Sequence, residues 1–154
     1  MKLFIKLFFT ILLSFIISGC GSSKPKTDEQ AKKDQHICPQ CNMPLPKSNI
    51  NTSKLDENGS TVYFDDVGCM ILWAKDNKID LKNIKAKIFT NDTKKFIDPF
   101  QANFTINEKT PMLYGFSAYE KPCKDCIKFG EVIIRMLRGE HMANPKIRKQ
   151  ILGY

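Results

Sequence analysis

Two thiols and a thioether fall within six residues in Cys38-Pro39-Gln40-Cys41-Asn42-Met43. Thiolate and thioether are soft donors, and together they select Cu(I) over the hard cations. Zinc takes Cys, His and carboxylate but rarely Met, so Met43 is the residue that points to copper. The same six residues also read as a structural Cys38–Cys41 disulfide with Met43 as core filler. A second pair with the same spacing, Cys123 and Cys126, lies late in the chain. His36, two residues before Cys38, ends a polar leader and reads as a solvated imidazole rather than a ligand.

The compartment bears on both cysteine pairs, and the N-terminus speaks to it. Lys2 and Lys6 precede an apolar run over residues 7–17, broken only by Thr10 and Ser14, and Ile17-Ser18-Gly19-Cys20 follows. The run is too short to span a bilayer, and small residues directly before a cysteine mark a bacterial lipoprotein signal. Residues 1–19 are therefore expected to be removed and Cys20 to become the acylated first residue. That places the protein on the periplasmic side of a bacterial membrane, most naturally the outer one. Residues 20–35 hold almost nothing that can be buried and predict a solvated tether, with a reach of roughly 20 Å. Residues 36–154 form the single folded domain.

The formal charge of +8 counts two lysines and no acid within residues 1–19, so the remainder carries +6. A basic exported domain suits anionic lipid or an acidic partner, and nucleic acid is not expected outside the cytoplasm. Of six cysteines, the acylated Cys20 leaves five: Cys38, Cys41, Cys69, Cys123 and Cys126. An odd number in an oxidising compartment leaves at least one thiol unpaired, bound to metal or sheltered by burial.

The elements that must position these residues are short. Pro44 and Pro46 forbid helix after Met43 and predict an extended edge. Residues 49–60 read as turn chemistry, sharpest at Asn58-Gly59, and Thr61-Val62-Tyr63-Phe64 as a strand. Asp65-Asp66 caps a predicted helix over residues 66–76, on which Cys69 reads as a buried core thiol. Alternation over residues 84–90 predicts a half-buried strand. Short extended pieces follow at Phe96-Ile97, 102–106 and 116–119. Pro122 is then expected to open a second helix reaching Arg138, with Gly139 just past its end and both Cys123 and Cys126 in its first turn. There the helix dipole and Lys121, Lys124 and Lys128 would favour thiolate. A short basic helix is expected over residues 145–152. The fold class is α+β, a small domain of two similar strand-strand-helix-strand halves with short antiparallel sheets.

Three motifs in order bring a family into view. The lipoprotein signal with Cys38-Pro39-Gln40-Cys41-Asn42-Met43 comes first. Tyr63-Phe64-Asp65-Asp66-Val67-Gly68-Cys69-Met70 with Leu72-Trp73 follows, then Thr110-Pro111-Met112 and Gly115-Phe116 with Ala118-Tyr119. Over residues 38–120 the chain resembles the NosL family, nitrous oxide reductase accessory lipoproteins that act as periplasmic Cu(I) carriers. The resemblance implies a Cys-x-Met copper motif, here Cys41 and Met43, with Met112 as a further sulfur ligand and Cys38 beside them. Asn42 stands where the family usually has Gly. Beyond Glu120 the chain departs from the pattern, carrying Lys121-Pro122-Cys123-Lys124-Asp125-Cys126 and lacking the expected Gly-Gly-plus-strand ending. The family fold is also similar to that of organomercurial lyases, but an enzyme reading from that likeness rests on fold analogy alone.

The first functional expectation is thus a membrane-tethered Cu(I) chaperone, not an enzyme, that passes copper to a copper-receiving enzyme or copper-site assembly protein such as nitrous oxide reductase. A thiol–disulfide exchange protein using its C-x-x-C pairs is the alternative, and a structural zinc or interaction module a further one. The lipid anchor is directly testable. A Cys20→Ser variant should remain uncleaved or lose its acyl chains in a mass-spectrometric assay of membrane fractions. A mature wild-type protein that fractionates as soluble with Cys20 unmodified contradicts the anchor.

Overall fold

The computed structural model describes residues 36–154, so the signal segment, Cys20 and the tether lie outside the described residues. The fold is α+β, with three helices and two small antiparallel sheets among the described residues. The first sheet contains β1 (Ser53–Glu57), β2 (Ser60–Phe64), β3 (Ala86–Phe89) and β4 (Phe96–Ile97), in the order β2-β1-β3-β4. The second contains β5 (Asn103–Thr105), β6 (Ser117–Tyr119) and β7 (Ile127–Lys128), in the order β6-β5-β7.

β1 and β2 form a hairpin closed by Asn58 and Gly59, at φ 49° and 81°. Two positive φ values match the right-handed strand twist, which is why Asn-Gly is so effective there. β1 itself lies inside the stretch expected to be a turn. Its short Ser-Lys-Leu-Asp-Glu pattern carries little local strand signal. Tertiary position overrides it, because β1 is central, pairs on both sides, and fully buries Ser53 and Leu55.

β2 runs into the core at Phe64 and hands over to α1 (Val67–Asp76), with Asp66 as N-cap. The Asp66 carboxylate accepts from the Gly68 N–H at 2.9 Å, and α1 buries Val67, Cys69, Met70, Ile71 and Ala74. Gly68 lets Tyr114 approach closely. A Cβ on Gly68 would lie 2.3 Å from Tyr114 Cδ2 and 3.0 Å from Met136 Sδ. Met136 belongs to α2 (Phe129–Arg138), so Gly68 is where the loop before β6 and α2 close on α1.

The second half departs from the expected helix. Residues 122–126 form a turn, Asp125 sits at φ 60°, and Ile127 and Lys128 pair with Phe104 and Asn103 as β7. A left-handed residue ends helical propagation, and ladder pairing takes the two residues that follow. α2 therefore starts at Phe129, and Cys123 and Cys126 lie outside any helix, so the dipole argument for their thiolates does not hold. The first half follows strand-strand-helix-strand, whereas in the second β7 precedes the helix. α2 ends at Gly139, left-handed at φ 72°, and α3 (Pro145–Leu152) starts behind Asn144, whose side chain caps Lys146 N–H.

The halves share one hydrophobic core that includes Leu55, Phe64, Met70, Phe104, Phe116 and Phe129. They are also pinned by polar bonds: Asn91 N–H donates to the Ala118 carbonyl at 2.7 Å, and Ser117 Oγ to Asn51 Oδ1 at 2.9 Å. The tight approach at Gly68 yields a prediction. Gly68→Ala forces the Tyr114 ring or α2 aside, and overpacking of this kind costs about 1–3 kcal/mol. Urea unfolding should show that loss, and an unchanged midpoint contradicts the packing described.

Candidate metal centre

The loop carrying Cys38 and Cys41 is closed on itself. Cys38 N–H donates to the Met43 carbonyl at 2.8 Å, Asn42 N–H to the Cys38 carbonyl at 2.9 Å, and Leu45 N–H to the His36 carbonyl at 2.9 Å. Ile37 and Pro44 form a single antiparallel bridge, which is the extended edge expected after Met43. Asn42 occupies the left-handed region at φ 61°, which Asn tolerates better than most side chains. The turn folds Cys38 into the core, leaves Cys41 half-buried, and sets Met43 at the surface, 41% exposed.

β2 and α1 bring two more donors to the same place. Asp65 follows β2, and Cys69 lies in the first turn of α1; both are fully buried. One ligand atom from each of Cys38, Cys41, Asp65 and Cys69 lies within 4.8 Å of the others. Cys41 Sγ donates to both Asp65 carboxylate oxygens at 3.3 Å. None of the three cysteines is disulfide-bonded, so the Cys38–Cys41 bridge considered from sequence does not form here. Cys69 joins the cluster rather than serving only as core, and Asp65 was not singled out as a ligand from sequence. The available signal was the Asp65-Asp66 pair with Cys69 one helical turn on, immediately after a strand.

The remaining candidates are placed differently. Met112 is half-buried against the core, and its N–H donates to Asp66 Oδ2 at 3.2 Å. Cys123 and Cys126 form a disulfide in the exposed turn before β7. His36 stacks on Tyr63 with ring centroids 5.4 Å apart, and His141 meets Tyr114 edge-on at 4.8 Å. Neither histidine is part of the four-residue cluster.

The charge state of the cluster is uneven. The neighbouring Cys69 thiol, against the cost of burial, helps hold the Cys38 thiol down to about 6; the N–H groups of Asp65 and Cys41 assist. Burial pushes the Cys41 thiol up to about 12, reinforced by the neighbouring Cys38 and Asp65. Cys69 is raised as well, chiefly because its proton is engaged by Cys38 and then by burial. Near neutral pH the cluster therefore holds one thiolate, on Cys38, and two thiols, on Cys41 and Cys69. Behind it, burial lifts Asp66 to about 6, against hydrogen bonds from Gly68 N–H, the Thr110 hydroxyl and Met112 N–H.

Three sulfurs and one carboxylate oxygen converging on one point fit a soft or borderline cation, which would replace the two thiol protons and tie the donors together. Because metal competes with protons for Cys41 and Cys69, loading all three sulfurs near pH 7 should release about two protons per ion, and a third below about pH 6. Apparent affinity should accordingly climb by about a hundredfold per pH unit above neutrality. Proton release in a weakly buffered, anaerobic metal titration measures this directly. Release of a single proton, or none, contradicts the three-sulfur set.

Comparison of the chain with family models, with curated proteins and with solved structures finds no match.

Proposed function

We propose that the protein is a carrier of Cu(I), tethered to the periplasmic face of a bacterial membrane through Cys20, that hands the ion to a copper enzyme such as nitrous oxide reductase. The observation that carries this reading is the convergence of Cys38, Cys41 and Cys69 with Asp65 within 4.8 Å. A carrier must hold its cargo and still release it, and the burial gradient suits both needs. Cys38 and Cys69 are fully buried, whereas Cys41 is half-buried and Met43 is exposed at the end of the same loop. Cu(I) accepts two, three or four soft ligands, so an incoming sulfur can join before a resident one leaves. Met43 and Cys41 are the donors such a partner would meet first, and the resemblance adds Met112, whose backbone N–H bonds Asp66, as a further thioether. The resemblance to NosL proteins motivates the choice of cargo and recipient.

Asp65 favours a second reading, a structural zinc site, because zinc accepts carboxylate readily and Cu(I) does not. Anaerobic competition on the reduced chain distinguishes them. The carrier reading expects one Cu(I) per chain, bound in preference to zinc. Cys41→Ser and Cys69→Ser each remove a direct ligand and should weaken binding by more than the roughly 10–100-fold that loss of an outer-shell partner costs. Met43→Ala removes only a neutral thioether and should cost less, and a Cys123→Ser/Cys126→Ser variant should bind as wild type does. Tight zinc binding with no preference for Cu(I) would favour the zinc reading, and equal Cu(I) binding by wild type and Cys69→Ser would sink the three-thiolate site.

A further inference from the structure

We propose that α3 and the turn at Leu113 together form an interfacial docking surface for an anionic lipid bilayer. This inference does not depend on the metal reading. α3 carries Lys146, Arg148 and Lys149 and no acid, and none of its side chains is buried. It contributes Arg148 and Leu152 to a groove of about 260 Å³ whose lining also includes Asn107, Glu108, Lys109, Leu113 and Met142. Leu113 is 48% exposed, Leu152 40% and Tyr154 77%; Lys109 and Arg148 share the groove with the two leucines, and Lys146 and Lys149 are exposed cations of the same helix. Glu108, the acid at this groove, accepts hydrogen bonds from Tyr119 Oη at 2.5 Å and Thr105 Oγ1 at 3.0 Å.

The exposure of Leu113 is enforced by the backbone. The residue sits at φ 57°, a region that bulky side chains enter only under constraint. The constraint is a turn in which Leu113 N–H donates to the Thr110 carbonyl at 3.0 Å and Gly115 N–H to Thr110 Oγ1 at 3.3 Å. An apolar side chain exposed in a strained turn, across a groove from a basic surface helix that Tyr154 follows, is the arrangement that headgroup-level binding uses. Leu113 and Leu152 would enter the acyl boundary, Tyr154 would lie at headgroup depth, and Lys109, Lys146, Arg148 and Lys149 would meet lipid phosphates. Charge complementarity selects anionic over neutral lipid.

Hydrogen–deuterium exchange of the full chain tests this on two kinds of vesicle, pure phosphatidylcholine and phosphatidylcholine with about one part in four phosphatidylglycerol. Attachment through any other segment is shared by both arms, so the comparison isolates the docking surface. On anionic vesicles, amides of α3 and of residues 111–115 should exchange about tenfold more slowly than on neutral ones, and added salt should remove the difference. Lys146→Glu/Lys149→Glu and Leu113→Ser/Leu152→Ser should each abolish the protection, while unchanged exchange in β5 and β6 shows that both variants fold. Equal exchange on the two compositions, or protection that survives Lys146→Glu/Lys149→Glu, overturns the proposal; with no protection on either vesicle, an acidic protein surface becomes the fitting partner.

Discussion

The buried carboxylate of Asp66 holds this domain in register. It caps α1 through Gly68 N–H at 2.9 Å and, through its second oxygen, accepts Met112 N–H at 3.2 Å from a loop 46 residues away. Burying a carboxylate is costly, and the cost shows in a carboxyl lifted to about 6. Its hydrogen bonds offset that cost only if α1 and the loop at residues 110–112 stay where they are. One residue earlier and one turn later stand Asp65 and Cys69. The bond that fixes the helix start thus also fixes half of the candidate metal centre.

The other half comes from a loop with little beneath it in sequence terms. Cys38 and Cys41 are carried by a turn closed with three backbone hydrogen bonds, and Cys38 is fully buried because that turn folds against the end of β2 and α1. Once seated, the thiols order one another. Cys41 donates to Asp65, the Cys69 thiol favours the thiolate on Cys38, and protons remain on Cys41 and Cys69, where ionisation would place further negative charge beside an existing one. Such a cluster is poised for a cation, because metal supplies the positive charge that burial otherwise withholds.

The Cys123–Cys126 disulfide stands apart from this chemistry. It closes a loop of a few residues in an exposed turn, so it restricts the unfolded chain little and is a weak staple. The pairing of Phe104 with Ile127 and the stacking of Phe104 on Phe129, with centroids 5.7 Å apart, hold β7 and α2 without it.

By itself the sequence determined what local chemistry can dictate. The α+β class, the hairpin turn at Asn58-Gly59, the cap at Asp66, the half-buried strand around Ile88 and the short helix behind Asn144 all follow from short-range rules of backbone conformation and periodicity. The soft-donor character of Cys38 and Cys41 was equally legible, since ligand type depends on residue identity alone. Tertiary structure decided what depends on partners far along the chain. It made Ser53–Glu57 a central strand despite weak local preference, because β2 and β3 pair with it on both sides. It turned the expected first helical turn at Cys123 into a β-turn and strand, because β5 offered Ile127 a ladder. It also drew Cys69 and Asp65 into the cluster with Cys38 and Cys41. A helical cysteine at an apolar position looks the same in sequence whether it faces hydrocarbon or three other ligands, and only the packing of α1 against a loop some thirty residues upstream distinguishes the two.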